Sequence, residues 1–125
     1  MSTKRLSRLE LRIMDVLWRL GAASVRELQE GLPEKSRPAY NTVQTIVTRL
    51  EAKEAVRRAK KISNAHIYEA VISRAATQRL LVDELLAFFG GRAAPLMSHL
   101  IETGQLTLQD VDEARKVLKK ERRRD

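Results

Sequence analysis

The chain of 125 residues has no cysteine. Disulfides, thiolate metal sites and cysteine redox switching are thereby excluded. Histidine is scarce, with only His66 and His99 present. Neither has a partner at metal-ligand spacing, and no glycine-rich phosphate loop or nucleophile motif appears. The sequence therefore predicts no catalytic residues, no metal and no cofactor. His66 reads as a wing contact or a satisfied strand residue, and His99 as a helix-surface residue. No apolar run approaches the length needed to span a bilayer. The stretch Met1-Ser2-Thr3-Lys4-Arg5 leads into an amphipathic segment rather than a signal sequence, so the expected location is the cytoplasm. Internal repeats are lacking, as is low-complexity sequence beyond the basic tail Lys119–Arg124.

Charge, in contrast, is abundant. Charged residues make up 32% of the chain, the net charge is +8, and the sequence pI is about 10.3. Such a surplus steers association with phosphate-rich surfaces without specifying a fold. Residues 1–72 hold 14 Lys/Arg against 8 Asp/Glu, and residues 73–125 hold 10 against 8. The basic excess thus belongs mainly to the first part.

Ser7-Arg8-Leu9-Glu10 is a capping box that opens a helix over 7–20. Leu9, Ile13, Val16, Leu17 and Leu20 recur there at helical spacing, and Gly21 supplies the stop. Trp18 falls on a neighbouring face with Met14 and Leu11 and reads as core. A second capping box, Ser24-Val25-Arg26-Glu27, opens a short helix carrying Val25 and Leu28, ended by Gly31 and Pro33. Pro33–Pro38 is a turn, and Pro38 stands at or just before a third helix, where a missing N–H costs nothing.

That third helix, about 39–53, carries one apolar stripe of Tyr40, Val43, Ile46, Val47 and Leu50. Its opposite face reads Asn41, Thr42, Gln44, Thr45, Thr48 and Arg49. Ordinary solvent faces favour Glu and Lys, whereas threonine and asparagine are poorer helix formers with short hydrogen-bonding groups. Two β-capable runs, Val56–Ile62 and His66–Val71, then flank a Ser63-Asn64-Ala65 turn and predict a hairpin. Its first arm is strongly basic.

Three short helices followed by a basic hairpin is the order of a winged helix-turn-helix. A helix about 10–12 Å across fits a major groove about 12 Å wide. Asn41 and Gln44 can pair bidentately with adenine, and the methyls of Thr42, Thr45 and Thr48 can meet thymine methyls; the threonine hydroxyls can also donate to phosphates. These five are the expected base-reading residues. Tyr40, Arg49, Arg57, Arg58, Lys60, Lys61 and Asn64 are the expected backbone contacts, Arg49 reaching guanine instead if the helix enters deeply. The expected partner is therefore double-stranded DNA. A winged-helix protein–protein adaptor that never touches DNA is the alternative, and it predicts no salt-dependent DNA affinity.

From Ser73 the character changes. A helix over 73–90 carries Leu80, Leu81, Val82, Leu85, Leu86, Phe88 and Phe89 over more than one face and ends at Gly90-Gly91. A shorter helix near 94–102 carries Leu96, Met97, Leu100 and Ile101. Thr107 caps a last helix to about 121, with Leu108, Val111, Ala114, Val117 and Leu118 inward. About fifty residues with such broad apolar coverage cannot form a separate stable core. Pairing with a second copy hides the extra faces and generates a two-fold axis. Leu81, Leu85, Phe88, Phe89, Leu96, Leu100, Val111 and Leu118 are the expected dimerisation residues. The predicted organisation is mainly α with a small β-hairpin wing: a winged helix-turn-helix DNA-binding domain over 1–72 and a three-helix dimerisation region over 73–125.

The stretches Ile13-Met14-Asp15-Val16-Leu17-Trp18, Ser24-Val25-Arg26-Glu27-Leu28 and Ala39–Leu50 resemble the penicillinase repressor family (BlaI/MecI type). His66-x-Tyr68 and Gly90-Gly91 fit it too, so the likeness covers nearly the whole chain. The resemblance implies a homodimeric repressor on a palindromic operator, controlling a β-lactamase, antibiotic-resistance or cell-envelope stress operon. It also implies a membrane-embedded zinc-metalloprotease sensor as partner, cutting the dimerisation half at an Asn-Phe bond. The matching stretch here reads Ser98-His99-Leu100-Ile101, without that pair. A copper-responsive branch uses C-terminal cysteines, and this chain has none.

Overall fold

The computed structural model describes residues 5–124; residues 1–4, which begin the N-terminal stretch read above, and residue 125 lie outside the described residues. The elements are α1 (Arg8–Leu20), β1 (Ala22–Ala23), α2 (Val25–Glu30), a 3₁₀ turn (Glu34–Ser36), α3 (Tyr40–Ala52), β2 (Val56–Ile62), β3 (Ala65–Ala70), α4 (Arg74–Phe88), α5 (Ala93–Glu102) and α6 (Leu108–Arg124). The protein is mainly helical with a small antiparallel sheet, ordered β1-β3-β2. The chain divides into two units, Met1–Gln78 and Arg79–Asp125, the dividing point lying within α4.

Both predicted capping boxes form. Ser7 accepts from the Glu10 N–H while the Glu10 carboxylate accepts from the Ser7 N–H, and Ser24 and Glu27 do the same at α2. Each satisfies backbone donors that a helix start otherwise leaves open. Gly21 ends α1 at φ 85°, a left-handed conformation that side chains disfavour. Gly31 serves differently. Its φ is −76°, but a Cβ there would lie 2.4 Å from Val16 Cγ1, so its bareness lets α2 close on α1.

The core of the first unit gathers Ile13, Met14, Leu17, Leu28, Val43, Val47, Leu50, Val56 and Tyr68. Helix α1 packs against α2, α3 and β3 together, so it is buried on a wide front. Met14, expected on a neighbouring face, is therefore fully buried, while Leu20 is exposed in the last turn. Trp18 is half-buried and donates from Nε1 to the Ile72 carbonyl at 2.9 Å. Arg74 lies over its ring and reaches Asp15 at 2.6 Å. The first turn of α4 thus belongs to the first unit.

Strand β1 was not foreseen. Two alanines carry no strand pattern, yet Ala22 and Ala23 pair with Glu69 and Tyr68 and cover the inner edge of β3. Ser63 and Asn64, both at positive φ, make the two-residue hairpin loop whose twist suits flanking strands. The β2–β3 register shifts between Arg58 and Lys60, which pair with Tyr68 and Ile67. A bulge at Ala59 follows. Cross-strand partners share a face, so Arg58 and Lys61 lie on one side of the arm, and Arg57 and Lys60 on the other.

In the second unit, Thr107 and Asp110 cap α6 reciprocally, the Asp110 N–H donating to Thr107 Oγ1 at 3.2 Å. Hydrogen bonds from the Thr107 N–H and hydroxyl hold the Asp110 carboxyl below its ordinary range. Among the described residues beyond Gln78, none is buried. None of α4, α5 and α6 packs extensively on another. No described helix is long and apolar enough to cross a membrane.

Candidate nucleic-acid interface

Helix α3 is delivered by a connection locked through side chains. Its N-cap, Ala39, offers no side-chain cap. Instead Gln29 Nε2 donates to the Pro38 carbonyl at 3.1 Å, and Arg37 donates to the Leu32 and Glu30 carbonyls. Arg12 Nη2 donates to both the carbonyl and the hydroxyl oxygen of Ser36. These bonds satisfy backbone acceptors in the turn and fix where α3 begins.

Val43, Ile46, Val47 and Leu50 face the core, so Asn41, Thr42, Gln44, Thr45, Thr48 and Arg49 all face outward and are exposed. The structure thus brings every predicted base-reading residue to one open face. Thr45 Oγ1 donates to the Asn41 carbonyl and Thr48 Oγ1 to the Gln44 carbonyl, each at 3.0 Å. Their protons are committed to the helix backbone. With the hydroxyls so placed, these two threonines present a methyl and an acceptor oxygen outward.

Tyr40, predicted in the apolar stripe, is 38% exposed, because the first turn of α3 lies beyond the core. Arg26 of α2 lies over its ring at 5.5 Å from the centroid. A cleft of about 260 Å³ opens beside this pair, lined by Arg26, Tyr40, Gln44, Asn64 and His66. It joins three predicted residues, from α3 and the hairpin tip, to His66, read from sequence as a wing contact or a strand residue, and to Arg26, which was not singled out. Arg26 had one signal in the sequence, a cation in the first turn of a short helix, where an acidic residue would suit the helix dipole.

The four wing cations differ. Arg57 is bound to Glu69, its Nε 2.6 Å from Oε1. Arg58 is bound to Glu51 of α3 at 3.0 Å and approaches His66 Nε2 at 3.4 Å. Lys60 and Lys61 are exposed and, among the described residues, have no carboxylate within ion-pair distance. Sequence alone could not separate them, since Glu69 and Glu51 reach the arginines only through the sheet register and the fold of β2 beside α3.

Of the predicted dimerisation residues, Leu81, Leu85, Phe88 and Leu118 are exposed, Phe88 at 84%. Phe89, Leu96, Leu100 and Val111 are half-buried, and the Phe89 ring lies 6.0 Å from that of His99. Among the described residues no group of three or more His, Asp or Glu is placed to hold a metal ion.

Comparison with known proteins agrees with this layout. The DNA-binding domain of the repressor BlaI, solved in solution, is 26% identical with a TM-score of 0.52, over 59% of this chain and 89% of that one. The monomeric form of Bacillus licheniformis BlaI, in complex with the blaP half-operator, is also 26% identical, with a TM-score of 0.50 and the same coverage. A MarR mutant from E. coli, complexed with operator DNA, is 16% identical with a TM-score of 0.53, over 92% of this chain and 74% of that one; it shows the winged-helix fold alone. A search of curated proteins gives no match. The penicillinase repressor model matches residues 6–120, and the chain belongs to that family of DNA-binding transcriptional repressors, which are not enzymes.

Proposed function

We propose that the protein represses transcription by binding a palindromic operator as a homodimer, with α3 in the major groove and the β2–β3 wing on the flanking backbone. The observation that carries this reading is the outer face of α3. Two amides and three threonine methyls stand on it together, all of them exposed. Asn41 and Gln44 read base edges, Thr42, Thr45 and Thr48 offer methyls, and Tyr40, Arg49, Lys60, Lys61 and Asn64 engage the backbone. The BlaI structure in complex with a half-operator supports this placement, through the likeness of the first unit.

A helical dimerisation region beyond the winged domain supplies the two-fold axis. Support comes from the unburied apolar side chains of α4, α5 and α6. A two-fold pair presents two copies of α3 to half-sites one helical turn, roughly 34 Å, or more apart. Family membership favours a resistance or cell-envelope operon as the target. A sensor protease acting on this chain would have to cut at a bond other than Asn-Phe, because α5 carries Ser98-His99-Leu100-Ile101 at that place.

The test is a binding series on the duplex that the protein enriches from a random pool, set against an unrelated duplex. Asn41→Ala and Gln44→Ala each reduce the preference between the two by about 1–3 kcal/mol. Equal losses on both duplexes for Gln44→Ala defeat the base-reading assignment.

A further inference from the structure

Away from the proposed DNA face, Arg8, Arg12 and Arg19 stand at i, i+4 and i+11 on α1. That spacing puts all three within about 40° of one another around the helix axis, along about 17 Å of its length. They rim a groove of about 770 Å³ between α1 and the turn leading out of α2, with Leu11, Val16 and Leu32 among its mostly apolar walls. Asp15 lies on the same stripe, but its carboxylate is turned onto Arg74 at 2.6 Å. Among the described residues no carboxylate lies within ion-pair distance of any of the three groove arginines. Arg12 and Arg19 each spend one nitrogen, Nη2, on backbone or hydroxyl oxygens of the turn, at Ser36 and Gly31. A guanidinium has five N–H donors, so most remain open.

We propose that this groove binds a small organic carboxylate with an apolar body. The guanidinium fork matches a carboxylate bidentately, which fixes the head group. The accessible apolar wall of Leu11 and Pro33 takes the hydrocarbon part. The volume falls in the range of small-molecule sites, where apolar walls and a few polar groups share the recognition. A bare inorganic anion or a sugar-phosphate backbone leaves that wall uncovered, which is why the amphiphile fits best.

The groove is joined to α3 through its own arginines. Arg19 holds Gly31 and Arg12 holds Ser36, on either side of Pro33 in the connection that positions α3. A carboxylate that draws these guanidiniums inward frees the turn, so occupancy and DNA binding oppose one another. This coupling rests on the proposed DNA-binding function; occupancy of the groove does not.

Octanoate is the probe, with acetate, octylammonium and octanol as controls, titrated into the ¹⁵N-labelled full chain. Octanoate is expected to shift the amides of Gly31 and Leu32 and the arginine Nε–H signals saturably, at least tenfold more tightly than any control. Arg8→Gln leaves the turn's hydrogen bonds intact and weakens octanoate about tenfold with an unchanged thermal midpoint. Shifts confined to other residues, an equal response to octanol, or undiminished binding by Arg8→Gln overturns the site. In a parallel anisotropy assay octanoate weakens operator binding by the wild type more than by Arg8→Gln. Groove binding with unaltered operator affinity overturns the coupling. A chain that takes octanoate yet binds no DNA in its absence counts against the proposed function and leaves the groove standing.

Discussion

Lys53 fastens the C-terminal end of α3 to the first turn of α1: its Nζ lies 2.7 Å from Glu10 Oε1 and 2.9 Å from the Arg5 carbonyl. Lys53 is the C-cap residue of α3, and Glu10 is the buried half of the α1 capping box, only 2% exposed. One carboxylate therefore answers both the open N–H of Ser7 and the lysine, and the C-terminal end of α3 is tied to the start of α1.

Burial pushes the Glu10 carboxyl upward, but the hydrogen bond and charge of Lys53 and the hydrogen bonds of Ser7 outweigh it, and the group is held below its ordinary 4.5. A depressed carboxylate contributes stability that is complete above its unfolded value and is lost as pH falls through the folded one. Urea unfolding should therefore show a loss of stability on acidification below about pH 4.5 that shrinks in Glu10→Gln. Lys53→Met leaves the buried carboxylate without its cation and should cost about 1–3 kcal/mol at pH 7. Identical pH profiles for wild type and Glu10→Gln would remove the linkage.

Much of this frame was readable because its signals are local. The two serine capping boxes, the 3.6-residue stripe of Val43, Ile46, Val47 and Leu50, and the Ser63-Asn64 turn each declare themselves within a few residues. The polar face of α3 followed by subtraction from that stripe. What stayed hidden depends on residues far apart in sequence. Ala22 and Ala23 become a strand only because β3 offers them an edge. Arg57 and Arg58 look like Lys60 and Lys61 until the fold brings Glu69 and Glu51 beside them. The bulge at Ala59 decides which cations share a face, and no composition rule marks it.

That division of the wing predicts unequal salt effects. A lysine that neutralises a phosphate releases counterions, and each lost contact lowers the salt slope by about 0.9. Lys60→Gln and Lys61→Gln should each flatten the slope by roughly that amount and weaken all duplexes alike. Arg57→Gln should change it less, since its charge is already answered by Glu69. Affinity measured from 50 to 300 mM salt decides it, and equal slopes for Arg57→Gln and Lys60→Gln would contradict the division.

The threonines of α3 make a sharper distinction. The Thr48 hydroxyl donates to the Gln44 carbonyl, so its methyl is the group proposed to meet a base. Thr48→Val keeps a methyl at that place and loses only a backbone-directed hydrogen bond; operator affinity should stay within about 0.5 kcal/mol. Thr48→Ser keeps the hydroxyl and loses the methyl, at a cost of about 0.8 kcal/mol on the operator alone. The reverse ranking would make the hydroxyl the contact and return Thr48 to the phosphate role that its sequence also allows.

The second unit carries the clearest unsatisfied demand. Phe88 is 84% exposed, Leu118 65% and Leu85 45%, and none of the three helices packs extensively on another. Covering a side chain of this size is worth about 1.5–3 kcal/mol, so several left open together favour association strongly. A second copy offers the same surface in reverse, which closes the assembly at two. Leu85→Asp puts a charge into that contact and should shift the sedimenting species from about twice 14.3 kDa to a single chain. The first unit has its own core, so this variant should keep its fold and bind an isolated half-site as before. Its affinity for the palindrome should fall to that of the half-site, because the second α3 is no longer held in place. A wild-type chain that sediments as a monomer at micromolar concentration, or a Leu85→Asp chain that stays paired, would show that these faces are covered in some other way.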